Sequence, residues 1–209
     1  MARIIIIFLC LSLFQAGCSK KEEITEPVLW INGTHAVLTE VNGGDVYRFG
    51  TVARGILNRT KIRNTLENSW EIKTKEDLDS MIASLIEGRH NQKFLEEAED
   101  YGITAMSRAE FESELESVSE KEEVMYFRNM FDAYQAFGGK AILGWDLSRA
   151  TQLCAFGYVA EFYSYDEAAD KALAAGKVIQ NCFNSWDDFY ASYFYGYAYW
   201  SEDDLEDLK

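Results

Sequence analysis

Asp146 and Arg149 stand three residues apart in the run Trp145-Asp146-Leu147-Ser148-Arg149. On a helix this spacing places both charges on one face, a turn apart, where they can form an ion pair. Arg149 also shares a helical stripe with Trp145, Phe156 and Ala160. Its guanidinium is therefore directed into a partly buried region, where an unpaired charge is costly. Two readings follow. In one, Asp146 and Arg149 are a structural ion pair that fixes helix packing, and the tryptophans near them are core. In the other, Arg149 turns its fork of donors toward a carboxylate or phosphate ligand. Trp70, Trp145, Trp186 and Trp200 then wall the pocket, with His90 beside it.

Other chemistry has less support. His35 and His90 are the only imidazoles, and His90 directly follows the Gly88-Arg89 stop, where a helix-end or surface role competes with that of a general base. Structural zinc sites need clustered Cys and His at characteristic spacing. The two histidines, with Cys154 and Cys182, are scattered and do not supply it, so no metal is expected. The acidic runs Glu96-Glu97-Ala98-Glu99-Asp100, 110–123 and 202–207 read as solvated helix faces and lack the spacing of a calcium-binding loop. Phosphate loops, dinucleotide fingerprints and nucleophile elbows are absent from the sequence. No catalytic residue and no cofactor is assigned.

Aromatic residues crowd one further stretch, SWDDFYASYFYGYAYW, residues 185–200. At helical spacing Phe189, Tyr193, Tyr197 and Trp200 face a core. Tyr190, Phe194, Tyr195 and Tyr199 fall elsewhere, to be covered by neighbouring helices or offered to a partner, because tyrosine gives large contact area at modest entropy cost.

The elements that must position these residues are helices. Thr74 caps a run in which Leu78, Met81, Ile82, Leu85 and Ile86 recur at helical spacing before Gly88 stops it. Ser107 with Glu110, and Ser164 with Glu167, have capping-box spacing. These signals predict helices over 29–41, 51–68, 75–87, 91–101, 108–117, 120–137, 141–163, 165–183 and 186–200. A short strand at Asp45–Phe49 finds no partner, and strand-type alternation is not sustained anywhere. The fold class is all-α: one domain of about eight or nine helices over residues 28–200, with an acidic tail at 201–209. Cys154 and Cys182 lie at different distances from the turn between their helices, which favours free thiols over a bridge.

The N-terminus has the three parts of an export signal: Arg3, an apolar run from Ile4 to Phe14, and small residues before a cleavage point. The run is shorter than the roughly 20 apolar residues of a spanning helix. Ala16-Gly17-Cys18 resembles a lipoprotein signal, in which the cysteine is acylated; Gln15 departs from that pattern, and ordinary cleavage near Cys18 is the alternative. Residues 1–17 are then the signal, and 18–27 are the lipidated cysteine and a charged tether that holds the domain to a bilayer. Removing 1–17, with one basic residue and no acidic one, takes the formal charge from −15 to −16. A nucleic-acid partner is disfavoured, because phosphate binding calls for a basic surface.

The C-terminal half resembles the bacterial family catalogued as domain of unknown function 1266. The resemblance rests on Trp145-Asp146 with Arg149, Gly157-Tyr158, the Ser164 to Glu167 turn, Ser185-Trp186 with Phe189, and Gly196 with Trp200. Ser69-Trp70, Glu76-Asp77 and Gly88-Arg89-His90 extend it upstream, for a coverage of about residues 29–200. It implies a mainly helical domain and no established activity, so it supplies no catalytic residue. The lipoprotein signal is an addition to the family's usual pattern. Together these features lead us to expect a membrane-tethered envelope lipoprotein at the outer membrane, facing the periplasm or the cell surface. Its expected role is a non-catalytic protein-binding module, an immunity-like protein being one version. The alternative is a small-molecule-binding protein or enzyme with its pocket around Arg149, Asp146 and His90.

Overall fold

The computed structural model describes residues 24–201. Cys18, the signal, most of the tether and the tail at 202–209 lie outside the described residues. Among the described residues every regular element is helical: α1 (Glu26–Thr34), α2 (Ala36–Val41), α3 (Ile56–Trp70), α4 (Lys75–Ile86), α5 (Arg89–Asp100), α6 (Arg108–Leu115), α7 (Lys121–Phe137), α8 (Leu143–Val159), α9 (Tyr165–Cys182) and α10 (Trp186–Ser201). Short 3-10 turns follow α5 and α7. The all-α single domain expected from the sequence is what forms.

Helix α8 is the axis of the fold. It packs against α9, α10 and α4, and Leu147, Ala150, Leu153, Cys154 and Ala155 along it are buried. One core joins its C-terminal half to α1, α3, α4 and α9 through Leu66, Leu78, Leu85 and Ile31. A second lies among α5, α6 and α7 around Phe94, Phe111, Met130 and Phe131. Burying each such side chain contributes about 1.5–3 kcal/mol. Gly144 and Gly196 set the distance between α8 and α10. A Cβ on Gly144 would stand 2.6 Å from the Phe189 carbonyl oxygen, and one on Gly196 would collide with Trp145. Their lack of side chains lets the two backbones approach and lays the aromatic helix on Trp145.

Several local expectations are revised. The helix predicted over 29–41 breaks at His35. There the Thr34 hydroxyl donates to the Ile31 carbonyl and offers the chain an alternative to the next helical bond. The segment 45–49 forms turns, not a strand. Helix α3 starts at Ile56, five residues late, because Thr51 takes a left-handed conformation (φ 65°). Helix α8 stops at Val159, before a left-handed Glu161 (φ 60°).

The caps divide in an informative way. Thr74 with Asp77, and Ser107 with Glu110, are complete capping boxes. At Ser164 only the hydroxyl half forms, since Glu167 turns its carboxylate to Lys75, 2.6 Å away. Cys154 and Cys182 are free, the first buried and the second half-buried. Burial pushes the Cys154 thiol up to about 12.

Candidate functional site

Three chain ends build the site. Trp70 ends α3, where a left-handed Glu71 (φ 59°) turns the chain away, and Arg63 on the same helix donates from Nε to the Ala160 carbonyl at 2.7 Å. Trp145, Asp146 and Arg149 occupy the first turns of α8, and Trp200 the last turn of α10. The Arg149 guanidinium carbon lies 4.2 Å from the Trp70 ring centroid, 4.7 Å from Trp145 and 5.9 Å from Trp200. Indole faces attract cations through their quadrupole, more strongly once water is excluded. Trp145 is buried while Trp200 is 58% exposed, so the cage has a sealed floor and an open rim.

Arg149 Nη1 is buried in this cage and finds no hydrogen-bond acceptor among the described residues. Trp145 Nε1 and the Tyr193 hydroxyl oxygen share that state, and the two rings are 5.3 Å apart. Three contacting residues thus offer more donors than the protein gives acceptors. Burial lowers the Arg149 pKa to about 10, against the opposing charge of Asp146. By the equivalence of one pKa unit to 1.36 kcal/mol, carrying that charge costs the fold roughly 3 kcal/mol.

The ion pair expected between Asp146 and Arg149 does not form. The fully buried Asp146 carboxylate accepts instead from the backbone amides of His90 and Asn91, both at 2.9 Å, and from the His90 ring at Nδ1. Helix α5 starts at Arg89, two residues before its predicted start, after a left-handed Gly88 (φ 83°). His90 and Asn91 therefore lie in its first turn, whose amides have no intrahelical partner. Their satisfaction by a carboxylate agrees with the helix dipole. Asn91 continues the joint, accepting from the Ile142 amide and donating to the Gly139 carbonyl, each at 2.9 Å. The carboxylate at Nδ1 orients the imidazole and favours a proton on that nitrogen.

Of the residues expected to wall the pocket, Trp70, Trp145 and Trp200 surround Arg149, and Asp146 anchors His90 within the adjoining joint. Trp186 does not join them. It packs on Trp30 (5.1 Å) and Tyr190 (5.8 Å) at the start of α10, far along that helix from Trp200. The sequence reading did not single out Asn91 or the Tyr193 hydroxyl. Tyr193 already lay on the inner stripe of α10, but the fate of its hydroxyl had no local signal.

Tyr190, Phe194, Tyr195 and Tyr199 do not form one open face. All are half-buried. Tyr190 donates to the Gly33 carbonyl, and Phe194 packs on Tyr190 and Tyr193. Tyr195 and Tyr199 turn toward α7 and α5 and line a cavity there. Among the described residues, no group of three or more His, Cys, Asp or Glu could hold a metal ion, and no helix is long and apolar enough to cross a membrane.

Residues 65–209 match the family described as "Protein of unknown function (DUF1266)". The chain belongs to that family. The DUF1266 match starts within α3 and takes in Trp70, His90, Asp146, Arg149 and Trp200, while α1 and α2 precede it. It is thus shorter at its N-terminal side than the resemblance over 29–200 had suggested. No curated protein and no solved structure matches the DUF1266 chain significantly.

Proposed function

We propose that this DUF1266 protein is a recognition module that captures an oxyanion at Arg149, and that acylated Cys18 holds it at a membrane surface. The observation that carries the reading is the buried Arg149 Nη1, set between indole faces with no acceptor of its own. A planar guanidinium is the side chain best shaped for bidentate binding of carboxylate or phosphate. The anion supplies the missing acceptor and offsets the desolvated charge. Trp200 at the open rim gives the ligand or partner group an aromatic surface to rest on. The net charge of −15 repels a diffuse anionic surface, which favours a specific anionic group held at short range by Arg149.

The test is thermal unfolding of the purified protein with citrate or inorganic phosphate, at constant ionic strength, in the parent, Arg149→Lys and Arg149→Met. Ligand at 100 times Kd stabilises the native state by about 2.7 kcal/mol. The parent should respond, Arg149→Lys weakly and Arg149→Met not at all. An equal response in parent and Arg149→Met overturns the site, and the two anions separate a carboxylate ligand from a phosphate one. Membrane attachment is tested separately by fatty-acid labelling and fractionation of Cys18→Ala. Labelling that survives the substitution sinks it.

A second reading rests on the Asp146 contact with His90. A buried carboxylate that fixes Nδ1–H leaves Nε2 placed to act as a general base. Hydrolysis of p-nitrophenyl ester and phosphate panels, lost together in His90→Ala and Asp146→Asn, would support it. Parent rates equal to buffer rates would remove it.

A further inference from the structure

Helices α5, α7 and α10 line an open-mouthed cavity of about 680 Å³, on residues the oxyanion site does not use; Asp100, Tyr101, Glu122 and Glu123 in its lining are exposed. Its size is that of a small-molecule pocket. From α5 come Phe94, Glu97, Asp100 and Tyr101; from α7 come Glu122, Glu123, Tyr126 and Phe127; Tyr199 closes it from α10. The aromatic rings are ordered against one another, with Tyr101 and Phe127 edge to face at 5.0 Å and Tyr126 and Tyr199 stacked at 6.0 Å.

Glu97 is the fixed point of this cavity. Its Oε2 accepts from the Tyr126 and Tyr199 hydroxyls at 2.9 and 2.6 Å, and Lys93 stands 3.6 Å from its other oxygen. Burial pushes the Glu97 carboxyl up, and the two phenols outweigh it, leaving the group below the ordinary carboxylate value and charged. Asp100, Glu122 and Glu123 have no ion pair among the described residues, and no lysine or arginine lines the cavity. Carboxylates thus approach from α5 and from α7, across walls made of ring faces.

We infer that this cavity binds an aliphatic di- or polyamine, its ammonium groups held by the carboxylates of α5 and α7 and its methylene chain laid on Tyr101, Phe127 and Tyr199. Ring faces attract ammonium groups, and the adjoining ring surface covers methylenes. A lone metal ion would leave the aromatic walls without a role. An anion would meet uncompensated negative charge.

The experiment is calorimetric titration of the purified protein with spermidine at 150 mM salt. Two charge-matched double variants accompany it: Glu122→Gln/Glu123→Gln in the cavity, and Glu96→Gln/Glu99→Gln on exposed positions of α5 outside it. Tyr101→Leu, at a half-exposed ring, is the third variant. We expect saturable 1:1 binding that weakens at least fivefold in the cavity pair and in Tyr101→Leu, with the outer pair close to the parent. Equal weakening in both pairs would mean diffuse counterion attraction and would overturn the inference. So would the lack of saturable binding in a folded parent, or binding of a lysine-rich peptide without binding of spermidine. Arg149→Met should leave the titration unchanged, so this inference and the oxyanion reading fail independently.

Discussion

Aromatic rings wall both the Arg149 site and the cavity between α5 and α7, yet the two places hold opposite charge and differ in how that charge is satisfied. Glu97 has two phenols and a lysine around it and sits below its usual pKa. Arg149 has indole faces and no acceptor at Nη1, and sits below its usual pKa because burial disfavours its charge. A lowered pKa thus means a stabilised charge at the first and a penalised one at the second. Aromatic content alone does not tell what a site binds; the balance of donors and acceptors inside the rings does.

The largest expected effect breaks the joint next to Arg149. Asp146→Ala removes a buried carboxylate and leaves the His90 and Asn91 amides without a partner, at a cost of about 3–5 kcal/mol. Urea unfolding measures it, and a loss under about 1 kcal/mol would show that α5 does not depend on this anchor.

His35 sharpens the comparison as a buried titratable group outside both aromatic places. It packs against Thr151 of α8, its Nδ1 3.3 Å from that hydroxyl, and burial lowers its pKa from 6.5 to about 4. Above pH 6.5 the ring is neutral in both folded and unfolded chains, and the stability is fully present. As pH falls from 6.5 toward 4 the unfolded chain takes up the proton first, and about 3 kcal/mol is lost. The slope of unfolding free energy against pH in this window should shrink in His35→Gln. An unchanged slope would place the titration in other groups.

Arg149→Met separates a penalised charge from a structural one. Removing the desolvated guanidinium while keeping its apolar contact with the indoles should raise stability by about 1–2 kcal/mol without ligand, even after the loss of cation–π attraction. Destabilisation by a similar amount would identify Arg149 as a packing residue. Tyr199→Phe is the smallest change, costing about 1 kcal/mol because Glu97 keeps Tyr126 and Lys93 as neighbours. Its ring stays in place, so denaturation reports the hydroxyl alone.

Much of the fold is legible in the sequence because helical signals are local. The cap at Thr74, the stripe through Leu78, Ile82 and Leu85, and the stop at Gly88 each act within a few residues. The site was legible in part. The position of Arg149 on an apolar stripe announces a desolvated guanidinium, but the neighbour expected at helical spacing, Asp146, is taken by a helix that starts 57 residues earlier in the chain. Four tryptophans were candidates for one wall, and only the approach of α10 to α8 at Gly144 and Gly196 selects Trp200 and excludes Trp186. The cavity around Glu97 was legible only in pieces: Tyr199 stood out as a tyrosine off the inner stripe of α10 and Glu97 as part of an acidic run, but nothing local joins them to each other or to Tyr126.

The sequence by itself determined the all-α class, most of the caps, the family and the burial of a charged arginine among aromatics. Helical period and capping chemistry are properties of neighbouring residues, so composition and spacing are enough to specify them. Only the tertiary structure decided which donors reach Asp146, which indoles enclose Arg149, and that the carboxylates of α5 meet those of α7 across a cavity. Those outcomes depend on where helix ends land and how closely helices cross, distances set by the packing of the whole core rather than by any one stretch of chain.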